Sequence, residues 1–250
     1  MTLFEKLGLD RFFYKDEDFD EYEDDFDEEE LEEESVPYNP VNIIEIIVTG
    51  GPCSGKSELI RLASDELKAK NIPVFVVGET ATELLKGNFV YEDDPLSFQR
   101  TVCAVQLVNE KAAKEYAYAY IQRTAAKNVV IIYDRSAWDT RAYIDSENWK
   151  RNIQKPLGIY SELGSCFVIH LESAAAIGEF SKENNAERYE NSDSALMIDK
   201  RLFDIYRSHP LFVHIPARTD YEQKKAEFLK ALSVFVEAKM IREPEKKDEN

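Results

Sequence analysis

The chain is predicted to be an α/β protein: a parallel, five-stranded sheet with helices on both faces. Three observations predict it. Short runs of β-branched and aromatic residues alternate with longer stretches of helical apolar spacing after residue 41. The runs are apolar throughout, as strands covered on both faces require. Most of the polar turns with chemistry-bearing side chains follow directly on a run, where ligands of such sheets bind.

The elements follow in order. "NIIEIIV" (Asn42 to Val48) reads as a buried strand, and a glycine-rich turn follows it. "KSELIRLASDELKAK" spaces Leu59, Ile60, Leu62, Ala63 and Leu67 as one helical face. "IPVFVV" (Ile72 to Val77) is the second strand. Residues 94–124 form a long helical stretch, with room for one break, whose predicted inner face is Phe98, Val102, Val105, Ala112, Tyr116 and Tyr120. "VVIIY" (Val129 to Tyr133), "CFVIHL" (Cys166 to Leu171) and "LFVHIP" (Leu211 to Pro216) are strands three to five. An amphipathic helix from Asp220 to Met240 closes the domain.

Charge divides the chain. It has 250 residues and a net charge of −18, yet residues 1–40 hold 17 Asp/Glu against 3 Lys/Arg. That leaves a net of −4 for residues 41–250. Residues 1–40 read as an acidic, disordered leader ending in the linker "SVPYNP". The spacing of Phe19, Tyr22, Phe26 and Leu31 also suits a segment that docks on a basic protein partner. Residues 41–240 are the folded domain, and 241–250 a frayed tail. No basic stripe marks a nucleic-acid binder, and no apolar run reaches the ~20 residues of a membrane span. The three cysteines lack disulfide or metal spacing, and no signal-peptide pattern opens the chain, so a cytoplasmic protein is expected.

The turn after the first strand is "GGPCSGKS": Gly50, Gly51, Pro52, Cys53, Ser54, Gly55, Lys56 and Ser57. It matches G-x-x-x-x-G-K-[ST], flanked by the strand and helix that this phosphate-binding loop requires. Glycines let successive N–H groups face one point. The helix beginning there adds its positive end. Lys56 supplies a charge for β- and γ-phosphates, and the Ser57 hydroxyl is a Mg²⁺ ligand. The loop is therefore that of P-loop NTPases, with Mg²⁺ and ATP as the expected cofactors. GTP stays open, because no guanine-selecting N-K-x-D string occurs.

Four further residues can carry chemistry. Asp134 ends the third strand, where a carboxylate helps hold Mg²⁺. Arg135 beside it clamps a transferring phosphoryl group or an acceptor phosphate, or forms a structural ion pair with Asp134. Glu79 follows the second strand, placed to accept a proton from a hydroxyl, to orient water, or only to favour a helix start. Arg188 lies in the polar stretch Phe180 to Ser194, which is either a lid over the phosphates or a surface loop. Gln99 either bonds an acceptor or lies on a helix surface. Lys200, Arg201 and Arg207 read chiefly as a solvated helix face. "PARTD" (Pro216 to Asp220) is expected to border the base. His170, His209 and His214 are expected to hold no metal and form no triad.

The stretches "VTGGPCSGKS", "VVGETATELL", "YDRSAWDTRAYI", "NNAERYE" and "SHPLFVHIPARTDYEQKK" resemble the NadR-type AAA-like P-loop family. That family takes in ribosylnicotinamide kinase domains, the nucleotide-binding domain of the insect translocation-defect protein and short bacterial ATP-binding proteins. The resemblance runs from about Ile43 to Leu232 and implies a kinase-like fold that binds nucleotide. In the wider nucleoside-kinase pattern it implies Glu79 as the base and Asp134-Arg135-Ser136 as the motif after strand three. Two activities follow as expectations. One is a phosphotransferase acting on a small hydroxyl-bearing acceptor such as a nucleoside or riboside. The other is a nucleotide-gated ATPase or GTPase whose acidic leader engages a protein partner.

Overall fold

The computed structural model describes residues 42–124, 126–159, 164–179 and 192–240. The leader, Arg188 and the last ten residues lie outside them, so the expectations placed on these have no structural counterpart here.

All five expected strands form: β1 (Asn42–Thr49), β2 (Val74–Val77), β3 (Asn128–Asp134), β4 (Phe167–Leu171) and β5 (Phe212–Ile215). They pair in the order β2-β3-β1-β4-β5, every pair parallel. The central strands β1, β3 and β4 are almost wholly buried, whereas the edge strands β2 and β5 are half exposed. That is why the central runs are apolar apart from Glu45 and His170, while β5 tolerates an exposed His214.

The pleat sorts each strand's side chains into two cores. Ile44, Ile46 and Val48 of β1, with Val130 and Ile132 of β3, face Leu59 and Leu67 of α1 (Lys56–Ala69) and Phe228 and Leu232 of α6 (Tyr221–Lys239). Ile47, Val129, Ile131 and Val168 face the opposite way. They pack on Ala117 and Ile121 of α3 (Pro95–Thr124) and on Leu202 and Tyr206 of α5 (Ser192–Tyr206). The remaining helices are short: α2 (Thr80–Lys86) after β2, and α4 (Ser146–Trp149), which runs on as a π-turn over Lys150–Gln154.

Helix α3 forms as the long helix expected, with Phe98 and Val102 buried, but the rest of its inner face differs. It is one unbroken helix of 30 residues. Its buried line is Phe98, Gln99, Val102, Cys103, Gln106, Ala117 and Ile121, while Val105, Ala112 and Tyr116 are exposed. Small residues at 103 and 117 bring the helix close to its neighbours. Tyr116 instead flanks the sheet edge, its ring 5.0 Å from that of Phe75 in an edge-to-face contact. Among the described residues no helix is long and apolar enough to cross a membrane.

Candidate nucleotide and phosphoryl-transfer site

The site lies beyond the carboxyl ends of β1, β2 and β3, each of which delivers one part of it. The glycine loop follows β1. Gly50 has φ +145°, and a β-carbon there would lie 2.1 Å from the carbonyl oxygen of Leu171, so the loop passes β4 where only glycine fits. Cys53 (φ 61°) and Gly55 (φ 83°) are left-handed, which gives the loop its curl. Gly55 caps α1 with no side-chain hydrogen bond to the first turn. Among the described residues the first-turn N–H groups have no side-chain acceptor from the cap, as suits an anion-binding helix start.

Pro52, Cys53, Ser54, Gly55, Lys56 and Ser57 line a cavity of ≈ 580 Å³. Gly50 and Gly51 do not line it; they lie behind and shape the loop. The cavity extends to Glu79, Arg135 and Ser136, then to Leu85, Gln99, Val102 and Tyr143. Its size suits a ligand of a few hundred daltons or more. Lys56 is buried. Burial and the nearby Arg135 lower its pKa, against the opposing pull of Asp134, Glu79 and Asp139.

Arg135 stands in the left-handed region (φ 74°), a strained position for a non-glycine residue. Two carboxylates hold it there. Its Nε donates to Glu79 Oε1 at 2.5 Å, and its Nη1 to Asp139 Oδ2 at 3.3 Å. The alternative pairing with Asp134 is not made among the described residues. Burial opposes the charged form of Glu79, but the Arg135 guanidinium and Lys56 ammonium outweigh it. They hold the carboxyl well below the usual carboxylate range. Thr82 Oγ donates to the other Glu79 oxygen at 2.7 Å.

Asp134 is buried beside the Ser57 hydroxyl, which donates to its Oδ2 at 3.4 Å. Its Oδ1 is buried with no partner among the described residues. Burial pushes its pKa up to about 6, with Glu79 adding to the rise and Lys56 opposing it. An unpaired buried carboxylate oxygen next to a hydroxyl on the loop is a donor set that fits Mg²⁺.

A supporting layer was not read from the sequence. Asp139 joins three elements: Thr49 Oγ donates to its Oδ2 at 2.7 Å, Arg135 lies on the same oxygen, and the buried Tyr206 hydroxyl donates to its Oδ1. Tyr206 also bonds Ser136 Oγ at 2.7 Å. From α3, Gln106 Nε2 donates to the Arg135 carbonyl at 3.1 Å, and Ala137 N–H donates to Glu110 at 3.0 Å. The one available signal was the acid four residues after Arg135 in "DRSAWD". Of the basic residues on and just after α5, Lys200 and Arg207 pair with Asp204, and Arg201 donates to the Ala142 carbonyl at 3.0 Å. The loop after β5 is held by Ala217 N–H donating to Glu172 Oε2 at 2.7 Å.

The strand order, the loop and the carboxylates beside it define a P-loop protein of the kinase and NTPase class. A family model described as "AAA domain" matches residues 45–224, and the chain belongs to that family. Among solved structures, the chain is similar to a deoxyadenosine kinase from M. mycoides, solved with the products dCMP and a flexible dCDP bound. Identity is 16%, the match covers 76% of this chain and 100% of that one, and the TM-score is 0.51, which is a likeness of fold. No curated protein matches the chain.

Proposed function

We propose that the protein is a Mg²⁺-dependent phosphotransferase that moves the terminal phosphoryl group of ATP to a hydroxyl of a small, uncharged acceptor, a nucleoside or riboside. The finer kinship proposed is with the ribosylnicotinamide-kinase type of the NadR-like family. One observation carries the reading: a single cavity joins the glycine loop to the Glu79–Arg135 pair.

Residues Pro52–Ser57 hold the triphosphate through backbone N–H groups and the Lys56 ammonium. Ser57 and Asp134 hold Mg²⁺, which when bound neutralises charge on the phosphate oxygens. Glu79 accepts a hydrogen bond from the acceptor hydroxyl and aims its lone pair at the γ-phosphorus. Its low basicity suits a loose transition state, in which the hydroxyl proton need not leave early. Arg135, presented by Glu79 and Asp139, faces the negative charge of the moving group.

Part of the cavity lining supports an uncharged acceptor. Leu85, Val102 and Tyr143 are apolar or aromatic, and the buried Gln99 amide offers one donor and one acceptor for a base edge. The Glu79 and Asp139 carboxylates that flank Arg135 disfavour an acceptor that carries its own phosphate.

The test is ADP release with Mg·ATP across a panel of nucleosides, ribosides and their monophosphates. The reading expects turnover stimulated by one of the uncharged acceptors. Turnover indifferent to every acceptor would contradict it.

A further inference from the structure

Behind the glycine loop lies a second set of buried polar groups that takes no part in the transfer just described. Three successive loop carbonyls are bound by groups of the turn after β4 and of α6. Ser173 Oγ donates to the Pro52 carbonyl. Ala174 N–H donates to that of Cys53 at 3.2 Å. The Lys224 ammonium donates to that of Ser54 at 2.9 Å and to the Glu172 carbonyl at 2.8 Å. One step earlier, Gly51 N–H donates to Asp199 Oδ1 at 2.7 Å, and the same oxygen accepts Ser173 N–H at 3.2 Å.

In a trans peptide the C=O of one residue and the N–H of the next point in opposite directions. No cis peptide occurs among the described residues. Pulling the carbonyls of Pro52, Cys53 and Ser54 outward therefore turns the N–H groups of Cys53, Ser54 and Gly55 the other way. That way is the cavity these residues line. Asp199 fixes the peptide that enters the curl. A β-carbon on Gly51 would lie 2.7 Å from Asp199 Cβ, so the second glycine is required by this carboxylate.

Both charged groups are buried: Lys224 is 5% exposed and Asp199 6%. Burying a charge is costly unless several partners offset it. Each has them. Lys224 bonds two carbonyls, and burial, against Asp199 and Glu172, takes its pKa down to about 8. Asp199 has two amides, with His170 Nε2 3.4 Å from Oδ1. His170 Nδ1 in turn lies 3.0 Å from Nδ1 of His214 on β5. Burial works against the charge on Asp199, but His170 and the amides outweigh it and lower its pKa.

We propose that Lys224 and Asp199, neither of which lines the cavity, are positioning residues that aim the amides of Cys53, Ser54 and Gly55 at the phosphates of a bound nucleotide. The inference rests on the triphosphate part of the reading above, and not on the identity of the acceptor.

The test uses the full chain with two probes, ATP and inorganic tripolyphosphate. Lys224→Met keeps length and removes the donor; Asp199→Asn keeps shape and removes the charge. Lys225→Met, next in sequence and paired only with the surface residue Glu222, is the control. By calorimetry, Lys224→Met should weaken ATP and tripolyphosphate by the same factor, at least fivefold, with Asp199→Asn in the same direction. By ¹H–¹⁵N spectroscopy, the downfield shifts that tripolyphosphate induces at the 53, 54 and 55 amides should shrink in both variants and persist in Lys225→Met. Should Lys224→Met fail to fold, Asp199→Asn decides alone. Folded variants with wild-type affinity, or weaker binding with the amide shifts intact, would overturn the inference while leaving the nucleotide reading standing. A wild-type protein that binds neither probe would remove the nucleotide reading itself.

Discussion

Arg135 donates through Nε to Glu79 Oε1 at 2.5 Å, so the second residue after β2 and the first after β3 meet in the lining of the cavity. The pair is largely buried, with side chains 11% and 23% exposed. A carboxylate held this low in pKa by a guanidinium is a hydrogen-bond acceptor first and a proton acceptor late in the reaction.

Glu79→Gln keeps the side-chain shape and removes the charge. It should lower kcat by about 10²- to 10⁴-fold, the usual contribution of a positioned proton acceptor. ATP affinity should stay within about twofold, because the loop amides and Lys56 hold the phosphates. Steady-state rates and calorimetry on one preparation check both halves.

Asp134 gives a pH dependence whose sign follows from its raised pKa. With its folded-state pKa pushed up to about 6, above the ordinary carboxylate value, its protonated form is favoured in the fold. Its stabilising contribution is full below about pH 4 and is lost as the pH rises through about 6. Asp134→Asn should therefore stabilise the metal-free protein at pH 7.5, by on the order of 2 kcal/mol. The same change should abolish the Mg²⁺-dependent gain in ATP affinity. In the wild type that gain should fade as the pH drops below about 6, with proton release on Mg²⁺ binding in that range. Thermal melts and calorimetry in buffers of different ionisation enthalpy test these statements.

Lys56→Met should weaken ATP by about 10- to 150-fold, the worth of a charge-assisted hydrogen bond in a buried setting. Replacing this buried, charged side chain by an apolar one should leave the melting temperature unchanged or higher.

Gly50→Ala probes the close passage of the loop. The added methyl would meet the Leu171 carbonyl oxygen at 2.1 Å, at a backbone angle that L-residues rarely adopt. The expected result is a loss of more than about 2 kcal/mol of stability, with ATP binding lost at temperatures where the protein still folds. Urea melts and calorimetry separate the two effects.

Much of this architecture was legible beforehand, for physical reasons that differ by region. Central strands such as Val129–Tyr133 are apolar because both faces are covered, and that leaves an unmistakable run. Glu79, Asp134 and Arg135 could be proposed as site residues because a polar residue at or just after the end of such a run sits at the carboxyl edge of the sheet. Asp199 and Lys224 were not, because a charge inside an amphipathic helix looks the same whether it faces solvent or a loop from another part of the chain. Their partners are Gly51 and Ser54, far away in sequence. The inner face of α3 was misread for a related reason. Apolar bulk pointed to Tyr116 and Val105, but the helix packs through small and polar residues, Cys103, Gln106 and Ala117. Close approach, rather than hydrophobicity, selects those positions.

The most direct measurement is ³¹P NMR of the protein with Mg·ATP and one uncharged riboside or nucleoside at a time. The account predicts a new phosphomonoester resonance that grows with ADP for at least one acceptor, and its absence with Glu79→Gln. Growth of inorganic phosphate alone, at a rate no acceptor alters, would contradict it.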